Sequence, residues 1–177
     1  MYKPRDALKA KVIEALAQVP ANRMDQFVEA AQTLLSAGME GYDKSYVIEA
    51  LRMAPADRLT PEFVSMVQSL SAGMNGFQKA KVILILTEVP EERWDDLVAL
   101  NRVLIERNIS AENRASLLRY LSGVAATEAW DPEIAQEVVE YGDIVPLLPN
   151  LSPNQWEDLM RAFFAAPTAA ARRQILD

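Results

Sequence analysis

Val12-Ile13-Glu14-Ala15-Leu16 recurs as Val47-Ile48-Glu49-Ala50-Leu51, an interval of 35 residues. Another 35 residues on stands Val82-Ile83-Leu84-Ile85-Leu86, and after a further 35 comes Leu117-Leu118-Arg119-Tyr120-Leu121. The flanks keep the same interval. Lys9-Ala10-Lys11-Val12-Ile13 matches Lys79-Ala80-Lys81-Val82-Ile83 at twice the spacing. Pro20, Pro55 and Pro90 are in register, as are Arg23, Arg58 and Arg93, and Ser36-Ala37-Gly38-Met39 returns as Ser71-Ala72-Gly73-Met74. Agreement across several residue types marks a tandem repeat, whose period lies in the range of stacked structural units.

Each copy reads as two helices. Val12, Ile13, Leu16 and Val19 form a helical stripe, not a strand alternation. The proline then ends the helix, because it lacks the N–H and restricts the residue before it. Met24, Phe27, Val28, Ala31, Leu34 and Leu35 give a second stripe, and Gly38 stands where a left-handed cap residue is needed. Thr60-Pro61-Glu62 and Asp131-Pro132-Glu133 each supply a cap, a proline at the first helical position and an acid in the first turn. Ser152-Pro153-Asn154-Gln155 adds a capping-box glutamine.

The fourth copy is degenerate, with Ala125 and Asp143 where proline and glycine are due. A fifth, partial copy begins near Ser152, where Leu159-Met160-Arg161-Ala162-Phe163 precedes Ala166-Pro167. About ten helices are expected. One such pair cannot bury its own apolar face, whereas stacked neighbours can. The sequence therefore predicts an all-α fold: a right-handed α-solenoid of about five two-helix repeats in one domain spanning 1–177. The repeats fall near 9–43, 44–78, 79–113, 114–150 and 151–177. The repeat length is similar to that of the pentatricopeptide family, and the resemblance ends there. The tetratricopeptide pattern of Trp, Leu-Gly and Tyr is absent, and here the proline lies between the two helices of a copy.

Composition excludes several chemistries. The chain of 177 residues has no cysteine and no histidine. Disulfides, zinc sites built on Cys or His, and Ser-His or Cys-His nucleophiles are all ruled out. Acid–base work would fall to carboxylates, Lys or Tyr. The net charge of −7 disfavours nucleic acid, which is held through phosphate neutralisation, and Arg172-Arg173 is the densest basic run. No apolar core follows Met1-Tyr2-Lys3-Pro4 as in a leader, and no run is long enough to span a membrane, so a cytoplasmic setting is expected, a secreted effector being the alternative. The sequons at Asn108 and Asn150 read as chance matches.

The remaining constellations divide between structural and functional readings. Val82 to Glu88 could pass for a strand ending in an acid, but it aligns with two helical copies and no phosphate-binding loop accompanies it. Gly38-Met39-Glu40-Gly41-Tyr42 and Gly73-Met74-Asn75-Gly76-Phe77 could form a backbone-binding loop. Their recurrence at the architectural period favours a cap, a turn and an aromatic packed into the next helix, and Asn108 then takes the cap position in the third copy. Glu91, Glu92, Asp95 and Asp96 suit a hard cation or, preferred here, a solvated helix start. Glu133, Glu137 and Glu140 share a helix face but need burial to act as acid and base. Arg23, Arg58 and Arg93 read as structural pairs with acids of their own or the next copy. Trp94, Trp130 and Trp156 read as core or staple residues unless one faces a groove.

From these features, no catalytic residue, metal ligand or cofactor is expected. The expected activity is that of a non-enzymatic scaffold binding another protein, one with a basic surface. The alternatives are a packing or oligomerisation module capable of self-association, and a carboxylate-based enzyme.

Overall fold

Three prolines set the frame. Pro20, Pro55 and Pro90 adopt φ of −57°, −56° and −56° with ψ of 142°, 149° and 146°, so the chain leaves each helix in an extended step. A single 3₁₀ turn follows each time: Ala21–Arg23, Ala56–Arg58 and Glu91–Arg93. The N–H of the periodic arginine closes that turn by donating to the proline carbonyl, at 2.9, 3.1 and 3.0 Å. The fixed spacing of Pro and Arg thus has a backbone explanation.

The computed structural model describes residues 4–35, 39–125, 131–140 and 151–176. All regular structure among them is helical, with no strand. The helices are α1 (Pro4–Ala17), α2 (Met24–Leu34), α3 (Gly41–Met53), α4 (Pro61–Leu70) and α5 (Gly76–Glu88). They continue with α6 (Trp94–Glu106), α7 (Ala111–Ala125), α8 (Pro132–Glu140), α9 (Pro153–Ala165) and α10 (Ala169–Leu176). No described helix is long and apolar enough to cross a membrane.

The chain divides into two compact units, Met1–Thr87 and Glu88–Asp177. In the first, α1 packs along α3, and α2 packs against both α3 and α4. α1 and α3 therefore lie side by side, as do α2 and α4. Phe27, Leu34, Leu51, Phe63, Leu70, Ile83, Ile85 and Leu86 fill its core and are essentially fully buried. In the second unit, α6 packs on α7 and α8, α7 on α9, and α9 on α10, around Leu97, Leu104 and Phe163. The segment Val82 to Leu86 is helical and, apart from half-buried Leu84, entirely buried.

The caps form as local chemistry dictates. Thr60 Oγ1 accepts from the Phe63 N–H at 3.2 Å, and Asp131 Oδ1 from the Glu133 N–H at 2.9 Å. Ser152 and Gln155 form a reciprocal capping box. At the C-terminal ends, Gly73 (φ 74°) and Asn108 (φ 60°) hold the same place in successive copies, both in the left-handed region. Around Asn108 the end of α6 is a Schellman motif: Ile109 N–H donates to the Leu104 carbonyl (3.0 Å) and Asn108 N–H to that of Ile105 (2.9 Å). Asn108→Val is expected to lower stability by about 1–2 kcal/mol, because a β-branched residue resists that conformation. Asn108→Gly should leave stability unchanged or raise it. Urea unfolding of the two variants checks both signs.

Candidate interaction surface

The first helices of unit Met1–Thr87 leave large apolar side chains in solvent. Tyr42, Tyr46 and Met53 are 58, 45 and 59% exposed. On α3 they fall at i, i+4 and i+11, one stripe along the helix with Glu49 between them. Phe77 of α5, 47% exposed, meets Tyr46 edge-on with ring centroids 5.2 Å apart and planes at 69°. Lys81 Nζ stands 4.8 Å from the Phe77 ring centroid. Beside Tyr46, a cleft of about 350 Å³ opens between α1 and α3, lined by Val12, Gln18, Ser45 and Glu49 among others.

The glycines explain how these rings come together. Gly76 is buried at the start of α5, where an added Cβ would lie 2.4 Å from Asp43 Cβ and from its carbonyl oxygen. The two helix starts touch backbone to backbone, which brings Phe77 beside Tyr46. The glycine part of the cap-and-turn expectation therefore holds at Gly73 and Gly76. The aromatic part does not: Tyr42 and Phe77 are half out in solvent, because they sit on the outer faces of α3 and α5 instead of pointing between helices. Ile13 is exposed for a different reason. It is 65% exposed, whereas Ile48 and Ile83, at the same place in the next copies, are 7% and 0%. Nothing described in the chain covers α1 on the side where α1 covers α3.

The periodic arginines bind backbone as well as acids. Arg23 Nη2 donates to the Ala54 carbonyl at 2.7 Å, tying the turn of one copy to the end of the next copy's first helix. Arg93 lies 3.8 Å from Asp96. Ala54 is followed by a proline, and two other pre-proline carbonyls are likewise satisfied by side chains. The Trp94 indole N–H reaches Val89 O at 3.2 Å, and Arg172 Nη1 reaches Ala166 O at 3.0 Å. Trp94 is thus a core residue, 4% exposed. Gly38, Trp130 and Asn150 lie outside the described residues, as do the side chains of Glu140 and Trp156.

A further periodic set carries cations: Lys9, Lys44, Lys79 and Arg114. Lys79 shows what the position does. Its ammonium donates to the Leu34 carbonyl at 3.1 Å, at the C-terminal end of α2, where a helix favours positive charge. Burial pushes its pKa down, and likewise that of Arg114. The 35-residue spacing of basic residues was the signal available in the sequence.

The described acidic candidates lie at a helix start or in an ion pair. Glu91 and Glu92 occupy the 3₁₀ turn before α6 and not the helix itself, with Asp95 and Asp96 in the helix's first turn. No grouping of three or more metal-binding side chains occurs among the described residues. Glu133 is exposed, while Glu137 takes a two-pronged hydrogen bond from Arg172, at 2.6 and 2.7 Å. The Arg172 hydrogen bonds hold the Glu137 carboxyl below the usual carboxylate range, the opposite of what a general acid at neutral pH requires. A depressed pKa contributes stability above the unfolded value, about 4.3, that is lost as pH falls through the folded value. The stability gap between the native chain and Glu137→Gln should therefore narrow as urea midpoints are taken from about pH 6 down to pH 3.

No protein family, curated protein or solved structure matches this chain.

Proposed function

We propose that the chain is a right-handed α-solenoid of about five helix pairs acting as a non-enzymatic scaffold for another protein. One observation carries this reading: the exposed Tyr42, Tyr46 and Phe77 stand together on adjoining helices, with Met53 on the same stripe as the tyrosines. Contiguous exposed apolar groups on a folded domain mark contact surfaces, and tyrosine is among the residues that concentrate binding energy. The net charge of −7 favours a partner with a basic surface through longer-range attraction. A second reading, as a packing module, is favoured by the uncovered Ile13.

The test is cross-linked capture from lysate at two salt concentrations, followed by binding measurements on the purified partner. Tyr46→Ala combined with Phe77→Ala should weaken that partner at least about tenfold, roughly 1.4 kcal/mol. Both side chains are half exposed, so the melting temperature should fall little. Unchanged affinity would refute this surface as the binding face.

A further inference from the structure

Two helices of the unit Met1–Thr87 carry acids and no cation. The second helices α2 and α4 carry Asp25, Glu29 and Glu62 and neither Lys nor Arg. The first helices α3 and α5 mix both signs, Lys44, Arg52, Lys79 and Lys81 beside Asp43, Glu49 and Glu88. The helix dipole accounts for Asp25 and Glu62, which lie in first turns, but not for mid-helix Glu29 or for the missing cations.

Between α2 and α4 runs a cleft of about 400 Å³. Gln26, Glu29 and Thr33 form one wall, and Ser65 and Gln68 stand on the other. Ala30 and Val64, both buried, form its floor. The positions two periods on from Gln26, Glu29 and Ala30 line a second cleft, of about 120 Å³. Asp96, Ala99 and Leu100 of α6 there face Pro132, Glu133 and Ala135 of α8. It is narrower, with Leu100 where Ala30 stands.

We infer that the α2–α4 cleft is a docking groove for an extended, Lys- or Arg-bearing segment of a partner protein. Carboxamides both donate and accept hydrogen bonds, so Gln26 and Gln68 match the alternating N–H and C=O of a peptide backbone whatever its sequence. Glu29 supplies the charge that selects a cationic side chain, and the small Ala30 leaves depth for its aliphatic stem. α2 and α4 themselves carry no cation; Arg58 stands in the turn before α4, next to the lining residues Leu59 and Thr60. This inference rests on the scaffold reading and adds the partner's chemistry, at a face built by the second helices instead of the aromatic one.

The test uses the intact chain and a fluorescein-labelled octapeptide of alternating Lys and Thr, read by fluorescence anisotropy at low and physiological salt. Saturable binding is expected, weakened at least tenfold by Glu29→Lys and several-fold by Gln68→Ala, both exposed and so without consequence for folding. Glu14→Lys, an equal charge change on exposed α1, should weaken binding less than twofold. Equal losses from Glu14→Lys and Glu29→Lys would mean that the peptide reads net charge and would overturn the inference. So would the absence of saturable binding. Should the peptide fail while Tyr46→Ala with Phe77→Ala still releases a captured partner, the scaffold reading stands and the cleft does not.

Discussion

Ile83→Pro is expected to abolish cooperative folding of the unit Met1–Thr87. Ile83 is fully buried in the interior of α5. Proline there removes a helical hydrogen bond and clashes with the preceding turn, costing about 3 kcal/mol or more. Losing the packed side chain adds about 2–5 kcal/mol, as for an Ile-to-Ala truncation. The sum reaches the total stability of an ordinary domain, about 5–15 kcal/mol. The damage does not stay in α5, because its first turn sits on the backbone of Asp43 and its Phe77 ring on Tyr46. Ile13→Pro is the internal control: the same place in an earlier copy, but 65% exposed, so chiefly the backbone cost applies. Circular dichroism and thermal unfolding should show a large helical loss for Ile83→Pro and a smaller one, centred on α1, for Ile13→Pro. Equal losses would mean that side-chain burial at this position contributes little.

The parts of the structure legible in the sequence are those decided by neighbours within a few residues. Pro20, Pro55 and Pro90 mark helix ends because the ring's effect is local. Thr60, Asp131 and Ser152 mark helix starts because a cap reaches only two or three residues forward. Asn108 could be assigned to a left-handed cap from its place in the period alone. What the sequence left open depends on partners far along the chain. Arg23 was free to choose an acid or a carbonyl, and its partner lies 31 residues away. Lys79 meets Leu34 across 45 residues. Tyr42 and Phe77 follow their glycine turns as aromatics that could pack into the next helix, and only the placement of α3 beside α5 decides that they stay in solvent. Ile13 looks like Ile48 in every local respect; only the placement of neighbouring helices leaves the one exposed and the other buried. The candidate binding faces were illegible for the same reason, since exposure and cleft lining are properties of adjoining helices.

Gly76→Ala should destabilise the chain although alanine is the better helix former. The gain in propensity is up to about 1 kcal/mol, and less in a first turn. Against it stands a methyl placed 2.4 Å from Asp43 Cβ and carbonyl oxygen and 2.5 Å from its Cα. These are atoms on or next to the backbone, so no rotamer change relieves the overlap and the helix starts must part. Overpacking of this kind costs about 1–3 kcal/mol, and the upper part of that range applies where backbone opposes backbone. The net loss expected is about 2 kcal/mol by urea unfolding, with a changed tyrosine signal in near-ultraviolet circular dichroism as Tyr46 and Phe77 separate. The third copy supplies the opposite sign at the same register, where Ala111 opens α7. Ala111→Gly should cost about 1 kcal/mol or less through helix propensity and backbone freedom. A methyl added at position 76 and one removed at position 111 would then both destabilise, which only a specific close approach at Gly76 explains. If Gly76→Ala were neutral or stabilising, α5 would not sit on Asp43, and the placement of Phe77 beside Tyr46 would lose its cause.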